Sequence, residues 1–81
     1  DANIKFGENV LVIGCGGVGL SCVQAAKLSL ASEVVGVDIN EKKRQMVESF
    51  GGAFYSPVNV EKLIESKIKF DCIVYHQVLS N

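Results

Sequence analysis

Six consecutive residues hold most of the chemistry this sequence can offer: Gly14, Cys15, Gly16, Gly17, Val18 and Gly19 spell G-x-G-x-x-G. Such a turn offers bare backbone rather than a nucleophile or an acid. Gly14 permits a tight turn out of a strand, Gly16 lets the backbone approach a pyrophosphate, and Gly19 lets the following helix pack against the strand. Backbone N–H groups at the start of that helix then face the anion, aided by the positive end of the helix dipole. No cationic side chain is needed there, and none is present. The second part of the pattern is Asp38, 24 residues after Gly14 and 19 after Gly19. A carboxylate at the end of the next strand accepts hydrogen bonds from the adenosine ribose hydroxyls and repels the extra phosphate of NADP. The plain alternative for Asp38 is a solvated strand-end acid or a helix cap, and its position after the glycine turn favours the ribose role.

The motif carries weight only if a strand precedes it and a helix follows. NVLVIG, residues 9–14, is a continuous apolar run stopped by glycine, as in a strand buried on both faces. From Val18 to about Leu30, apolar and small residues recur at helical spacing. EVVGVDI, residues 33–39, predicts a second buried strand, and Asn40 is placed to cap the helix EKKRQMVESF, with Met46, Val47 and Phe50 as one apolar stripe. Gly51 and Gly52 end that helix. AFYS predicts a short third strand stopped by Pro57, NVEKLIESK a brief helix, and FDCIVYHQV a fourth strand. Strands alternating with helices imply parallel pairing through right-handed crossovers. The expected fold is therefore α/β, a partial Rossmann sheet of order 3-2-1-4, comprising the first mononucleotide-binding half and one further strand. Residues 1–81 are expected to form a single dinucleotide-binding unit.

Other glycine loops fit less well. A methyltransferase loop wants an acid where Val12 stands and glycine where Val18 stands. A nucleotide-activating enzyme of the ubiquitin-activating type shares G-x-G-G-x-G but wants a second acid at the position of Asn40. A Walker loop is excluded, because no Gly-Lys-Ser/Thr follows.

Composition bounds the remaining classes. The chain has 81 residues, with 48% hydrophobic and 21% charged, a globular rather than disordered balance. A net charge of −1, with both signs interspersed, indicates neither a nucleic-acid nor an anionic-membrane partner. No apolar stretch approaches a membrane span, and the first residues do not read as a signal peptide. The 3 cysteines, without a C-x-x-C pair, argue against a disulfide framework and for a reducing, cytoplasmic setting.

The stretches GENVLVIGCGGVGLSCVQAAKL and EVVGVDINEKKRQMVESFGGAFYSP resemble the cofactor domain of the zinc-type medium-chain alcohol dehydrogenases, over residues 4–76 and most closely through Lys43. The resemblance implies NAD as cofactor. It also implies that Gly14, Gly16, Gly17 and Gly19 form the pyrophosphate turn, that Val18 lies toward the nicotinamide, and that Asp38 and Lys43 both reach the adenosine ribose. A solvated helix lysine is the alternative for Lys43. Two departures stand out. Leu30 occupies a place where the family usually has glycine, and a left-handed residue there carries strain of about 1 kcal/mol. The terminal YHQVLSN replaces a stretch that usually holds an acid and small residues.

The remaining polar residues build no second centre. Cys15, Cys22 and Cys72 are expected to be buried, inert thiols. Cys72 and His76 share a strand face but lie roughly 13 Å apart, too far to share one ion. Tyr55 and Tyr75 have no base placed near them, so no nucleophile–base pair emerges. The expectation is an NAD(H)-binding fragment of an NAD-dependent alcohol or polyol dehydrogenase, inactive alone, with zinc held only in a catalytic domain elsewhere. The rival is a stand-alone nucleotide-sensing module without catalysis. Self-association is expected through the apolar fourth strand, which carries Ile73 and Val74 and only Asp71 as a charge.

Overall fold

A computed structural model describes residues 5–75. Strand β1 (Asn9–Ile13) leads through the glycine turn into α1 (Gly17–Leu28) and then β2 (Glu33–Val37). A 3-10 turn (Glu41–Lys43) runs into α2 (Arg44–Ser49), followed by β3 (Ala53–Tyr55). A second 3-10 turn (Pro57–Asn59) opens α3 (Val60–Glu65), and β4 (Cys72–Tyr75) closes the sheet. The strands are all parallel in the order β3-β2-β1-β4. This is the expected arrangement, with the strand before the glycine turn in the interior of the sheet.

Register divides the sheet cleanly. Val10, Val12, Val34, Phe54, Cys72 and Val74 share one face, while Leu11, Ile13, Val35, Val37, Ile73 and Tyr75 share the other. The crossovers from β1 to β2 and from β2 to β3 travel in one direction across the sheet. The connection from β3 to β4 travels back, so right-handedness puts α3 on the opposite face from α1 and α2. Packing follows: Val23 and Ala26 of α1 and Val47 of α2 bury against Val10, Val12, Val34 and Phe54. Leu63 of α3 buries against Val35 and Val37, flanked by Leu11, Val60 and Phe70.

Element boundaries shift modestly from the sequence reading. Helix α1 ends at Leu28, and Leu30 adopts φ 59, the left-handed conformation anticipated at that position. Its carbonyl accepts the Gly7 amide, and its own amide donates to Lys27, so the strained residue closes the helix onto the start of β1. Asn40 caps as expected, its side chain accepting the Lys42 amide, but the helix it caps begins as a 3-10 turn. The expected apolar stripe of Met46, Val47 and Phe50 needs correction. Val47 is fully buried and Phe50 half-buried, while Met46 is exposed. In a helix of 6 residues one step turns a side chain about 100°, so Met46 faces outward when Val47 faces the sheet. Its sulfur lies 3.9 Å from the Ser49 hydroxyl instead.

The start of β4 is tied to β1 by a specific clasp. Asp71 accepts the Asn9 amide through Oδ2 at 2.9 Å and donates its own amide to the Asn9 carbonyl. The Asn9 side chain donates in turn to the Lys69 carbonyl. Asp71, expected only as a lone charge on the strand, thus fixes the pairing register at its entrance.

Candidate nucleotide-binding site

The glycine turn leaves β1 at the carboxyl edge of the sheet. Gly14 has φ 89, a conformation costly for any residue with a Cβ, and donates its amide to Val37 at 2.8 Å. A Cβ at Gly19 would overlap the Gly14 carbonyl, so the helix approaches the turn to a distance only glycine allows. Gly16 is the N-cap of α1, with no side chain to satisfy the first amides and no acidic residue in the first turn. The N-terminal amides of an α-helix lack intrahelical partners, and an anion is the partner this one invites.

Asp38 follows β2 directly and is 7% exposed, the one buried charged residue among those described. Its Oδ2 accepts the Cys15 amide at 2.6 Å and its Oδ1 accepts the Asn40 amide at 2.7 Å. Two backbone amides at charge-assisted distances offset the cost of burying the carboxylate. Each oxygen keeps further lone-pair capacity for a ligand hydroxyl. The structure therefore brings Asp38 against the glycine turn. Lys43 lies half-buried on the 3-10 turn beyond Asp38, close enough that its positive charge acts on the Cys15 thiol.

A cavity of about 240 Å³ opens beside these groups, lined by Ile13, Gly14, Val37, Asp38, Pro57 and Tyr75 among others. It sits outside the carboxyl ends of the strands, where ligands bind in open parallel sheets. Tyr75 and Pro57 were not singled out from the sequence as lining residues. The signal available was position alone, since each lies at the end of a strand or just beyond it. Tyr75 and Asp38 both line this hollow, so its wall mixes aromatic, aliphatic and carboxylate groups.

The three thiols divide differently from the expectation. Cys15 is fully buried, and burial together with the Asp38 charge pushes its thiol up to about 11, which makes it inert at neutral pH. Cys22 and Cys72 are only half-buried, packed at the margin of the core formed under α1, so the expectation of burial is corrected for both. His76 lies outside the described residues. Among the described residues no group of three His, Cys, Asp or Glu side chains could hold a metal ion, and no helix is long and apolar enough to cross a membrane.

A four-stranded parallel sheet, a glycine turn opening into a helix, and an acid at the end of the adjacent strand beside a carboxyl-edge cavity define a Rossmann-type nucleotide-binding unit. The family described as alanine dehydrogenase/PNT, C-terminal domain, matches residues 4–78, and the chain belongs to that family. The resemblance to the cofactor domain of zinc-type alcohol dehydrogenases also holds. Over 88% of its length the chain is 44% identical to the S-(hydroxymethyl)glutathione dehydrogenase of Saccharomyces cerevisiae, of which it spans 22%. A protein of Sinorhizobium meliloti 1021 described as a zinc-binding dehydrogenase, solved with NADP bound, superposes on 96% of the chain. Its TM-score is 0.80 at 26% identity, and the chain covers 25% of it. A short chain alcohol dehydrogenase of E. coli CFT073 complexed with NADH shares the fold, with TM-score 0.82 over 94% of the chain at 22% identity; the chain covers 24% of it.

Proposed function

We propose that these residues form the NAD(H)-binding unit of an NAD-dependent alcohol or polyol dehydrogenase of the zinc-type family. The observation that carries the reading is the buried Asp38 carboxylate held against the glycine turn, at the rim of a cavity on the carboxyl edge. In this reading the amides around Gly14, Gly16, Gly17 and Gly19 hold the pyrophosphate, and Asp38 takes the adenosine ribose hydroxyls. Lys43 approaches the same ribose, and Val18 lies toward the nicotinamide. The unit works as a single domain, and the catalytic zinc and the alcohol-binding wall belong to other parts of the enzyme. Hydride transfer needs the reactive ring held against a substrate, so these residues alone supply binding and orientation rather than turnover. The half-buried thiols suit a cytoplasmic enzyme, and the exposed apolar face of β4 suits self-association.

The ribose assignment also sets cofactor choice. A buried carboxylate beside the 2′-hydroxyl repels a 2′-phosphate, so NADH should bind at least about tenfold more tightly than NADPH. Fluorescence titration with each cofactor measures the ratio, and Asp38→Ser should bring it toward unity. Equal affinities in the unmodified protein, or NMR shifts clustered away from residues 14–19 and Asp38, would refute the assignment.

A further inference from the structure

The two hydrogen bonds on Asp38 do more than neutralise a buried charge. Gly14 and Cys15 are successive residues of the glycine turn, and both of their amides are anchored at the end of β2. Gly14 donates to the Val37 carbonyl at 2.8 Å, and Cys15 donates to Asp38 Oδ2 at 2.6 Å. The first anchor is backbone and comes with the sheet. The second is a side chain 23 residues away in sequence, itself fixed from the other side by the Asn40 amide at 2.7 Å. Beyond Cys15 the turn continues through Gly16 and Gly17, residues with little conformational preference of their own. The Gly16 carbonyl accepts the Leu20 amide at 2.7 Å and so belongs to the first turn of α1, which leaves the Cys15–Gly16 peptide as the link whose orientation follows the Cys15 anchor.

We infer that Asp38 is a positioning residue for the phosphate turn as well as an acceptor for ribose: its carboxylate clasps the Cys15 amide and thereby aims the amides that receive a diphosphate. The inference rests on the reading of the turn as a diphosphate site. Its consequence is that ribose recognition and diphosphate recognition share one group. Without the carboxylate, the Cys15 amide is buried and unpaired, a state that backbone amides avoid by rotating toward another partner. Rotation there swings the glycine turn away from its binding shape and uncovers the thiol of Cys15, which is fully buried when the clasp is closed.

The test uses the protein with Cys22→Ser and Cys72→Ser, so that Cys15 is the remaining thiol among the 3 cysteines. Labelling of Cys15 by a chromogenic disulfide reagent reads the turn without any ligand. Binding of inorganic pyrophosphate, which has no ribose, reads its phosphate-holding shape. Asp38→Ala should label about tenfold faster and bind pyrophosphate about tenfold more weakly. Formate, matching the deleted carboxylate in size and charge, should reverse both changes, whereas chloride at equal ionic strength should not. General loosening of the fold would also speed labelling but would not respond to formate. Should Asp38→Ala fail to fold, Asp38→Asn keeps the volume while pairing with only one of the two amides, and intermediate effects are expected. A folded variant with unchanged labelling and pyrophosphate affinity, or one indifferent to formate, would overturn the clasp. Absence of NADH and pyrophosphate binding in the parent protein would instead defeat the proposed function, and the labelling arm would still decide the clasp.

Discussion

Along β4, neighbouring residues meet two different environments. Cys72 and Val74 pack against the core under α1, whereas Ile73 and Tyr75, on the other face, remain 62% and 65% exposed. The same contrast runs across the whole sheet. The face under α1 and α2 is closed by Val10, Val12, Val23 and Val47, all fully buried. The face under α3 is covered only in part, because a helix of 6 residues spans about 9 Å and buries Leu63 over Val35 and Val37 alone. Beside it runs a groove of about 400 Å³, lined by Leu11, Ile13, Val60, Ile64, Ile68 and Phe70 among others. Two faces of one sheet, built from the same kinds of residue, are thus finished to different degrees.

The contrast bears on the site because the glycine turn belongs to the closed face. Cys15 is part of that core, and on β2 a Cβ at Gly36 would press on Cys15 Sγ and Val47 together. The turn, Gly36 and α2 therefore interlock in one close-packed unit, in which a change of even a methyl group is felt. Substitutions on this face should reach the glycine turn. On the α3 face Ile13, Val37 and Tyr75 line the cavity, while substitution of the exposed Ile73 should act on surface properties.

The largest expected effect is that of Gly19→Ala. The added methyl meets the Gly14 carbonyl, a backbone atom that cannot swing aside as a flexible side chain would. Overpacking of this kind costs about 3 kcal/mol or more, a large share of what so small a unit can have in reserve. A matching drop in the urea midpoint, with loss of NADH binding, is expected. An unchanged midpoint would mean that the helix and turn are not in close contact.

The closed face also contains the group whose titration should be felt in alkali. Burial and the Asp38 charge raise the Cys15 thiol from 9.0 to about 11. A raised folded-state pKa means that the native state holds its proton where the unfolded chain has released it. Its contribution is fully present below pH 9.0 and is lost as pH rises through about 11. At about 1.4 kcal/mol per unit, the rise from 9.0 to about 11 puts the loss at no more than about 3 kcal/mol. Chemical denaturation across that range should show the advantage of the parent protein over Cys15→Ala shrinking as pH rises. A constant difference would show that the thiol is not buried in the native state.

Much of this was legible in the sequence, and the reasons are particular. The strand order followed from alternation and handedness, and Asp38 from its distance to the turn, because both are long-range consequences of short local patterns. The left-handed Leu30 was legible as a misfit with the glycine usual at that place. The outward Met46 was not, because a helix this short shows too few turns for the buried position to be chosen from three apolar neighbours. Nor was the double amide grip on Asp38, since backbone donors leave no mark in the choice of side chains. The place of Tyr75 on the cavity wall needed the register of β4 against β1, which Asp71 and Asn9 set through side chains 62 residues apart.

The smallest effect on stability should come from Ile73→Thr, and it sharpens the comparison of faces most directly. Ile73 pairs in register with Leu11 and points to the α3 face, where it already meets solvent. Threonine keeps the β-branch that favours a strand, so backbone preference is retained and only exposed apolar surface is removed. Stability should change by no more than about 0.5 kcal/mol, the usual range for surface positions. Val74→Thr, one residue on and facing the core under α1, places a hydroxyl against apolar side chains and should cost roughly 1–3 kcal/mol. Self-association should respond in the opposite order, since an apolar patch on an outer strand favours pairing with another chain and Ile73 is the more exposed of the two. Sedimentation over a concentration series for both variants, beside urea denaturation, reads the two quantities separately. Equal losses of stability at the two positions would mean that the α3 face is as well covered as the other, and the contrast between the faces would fall.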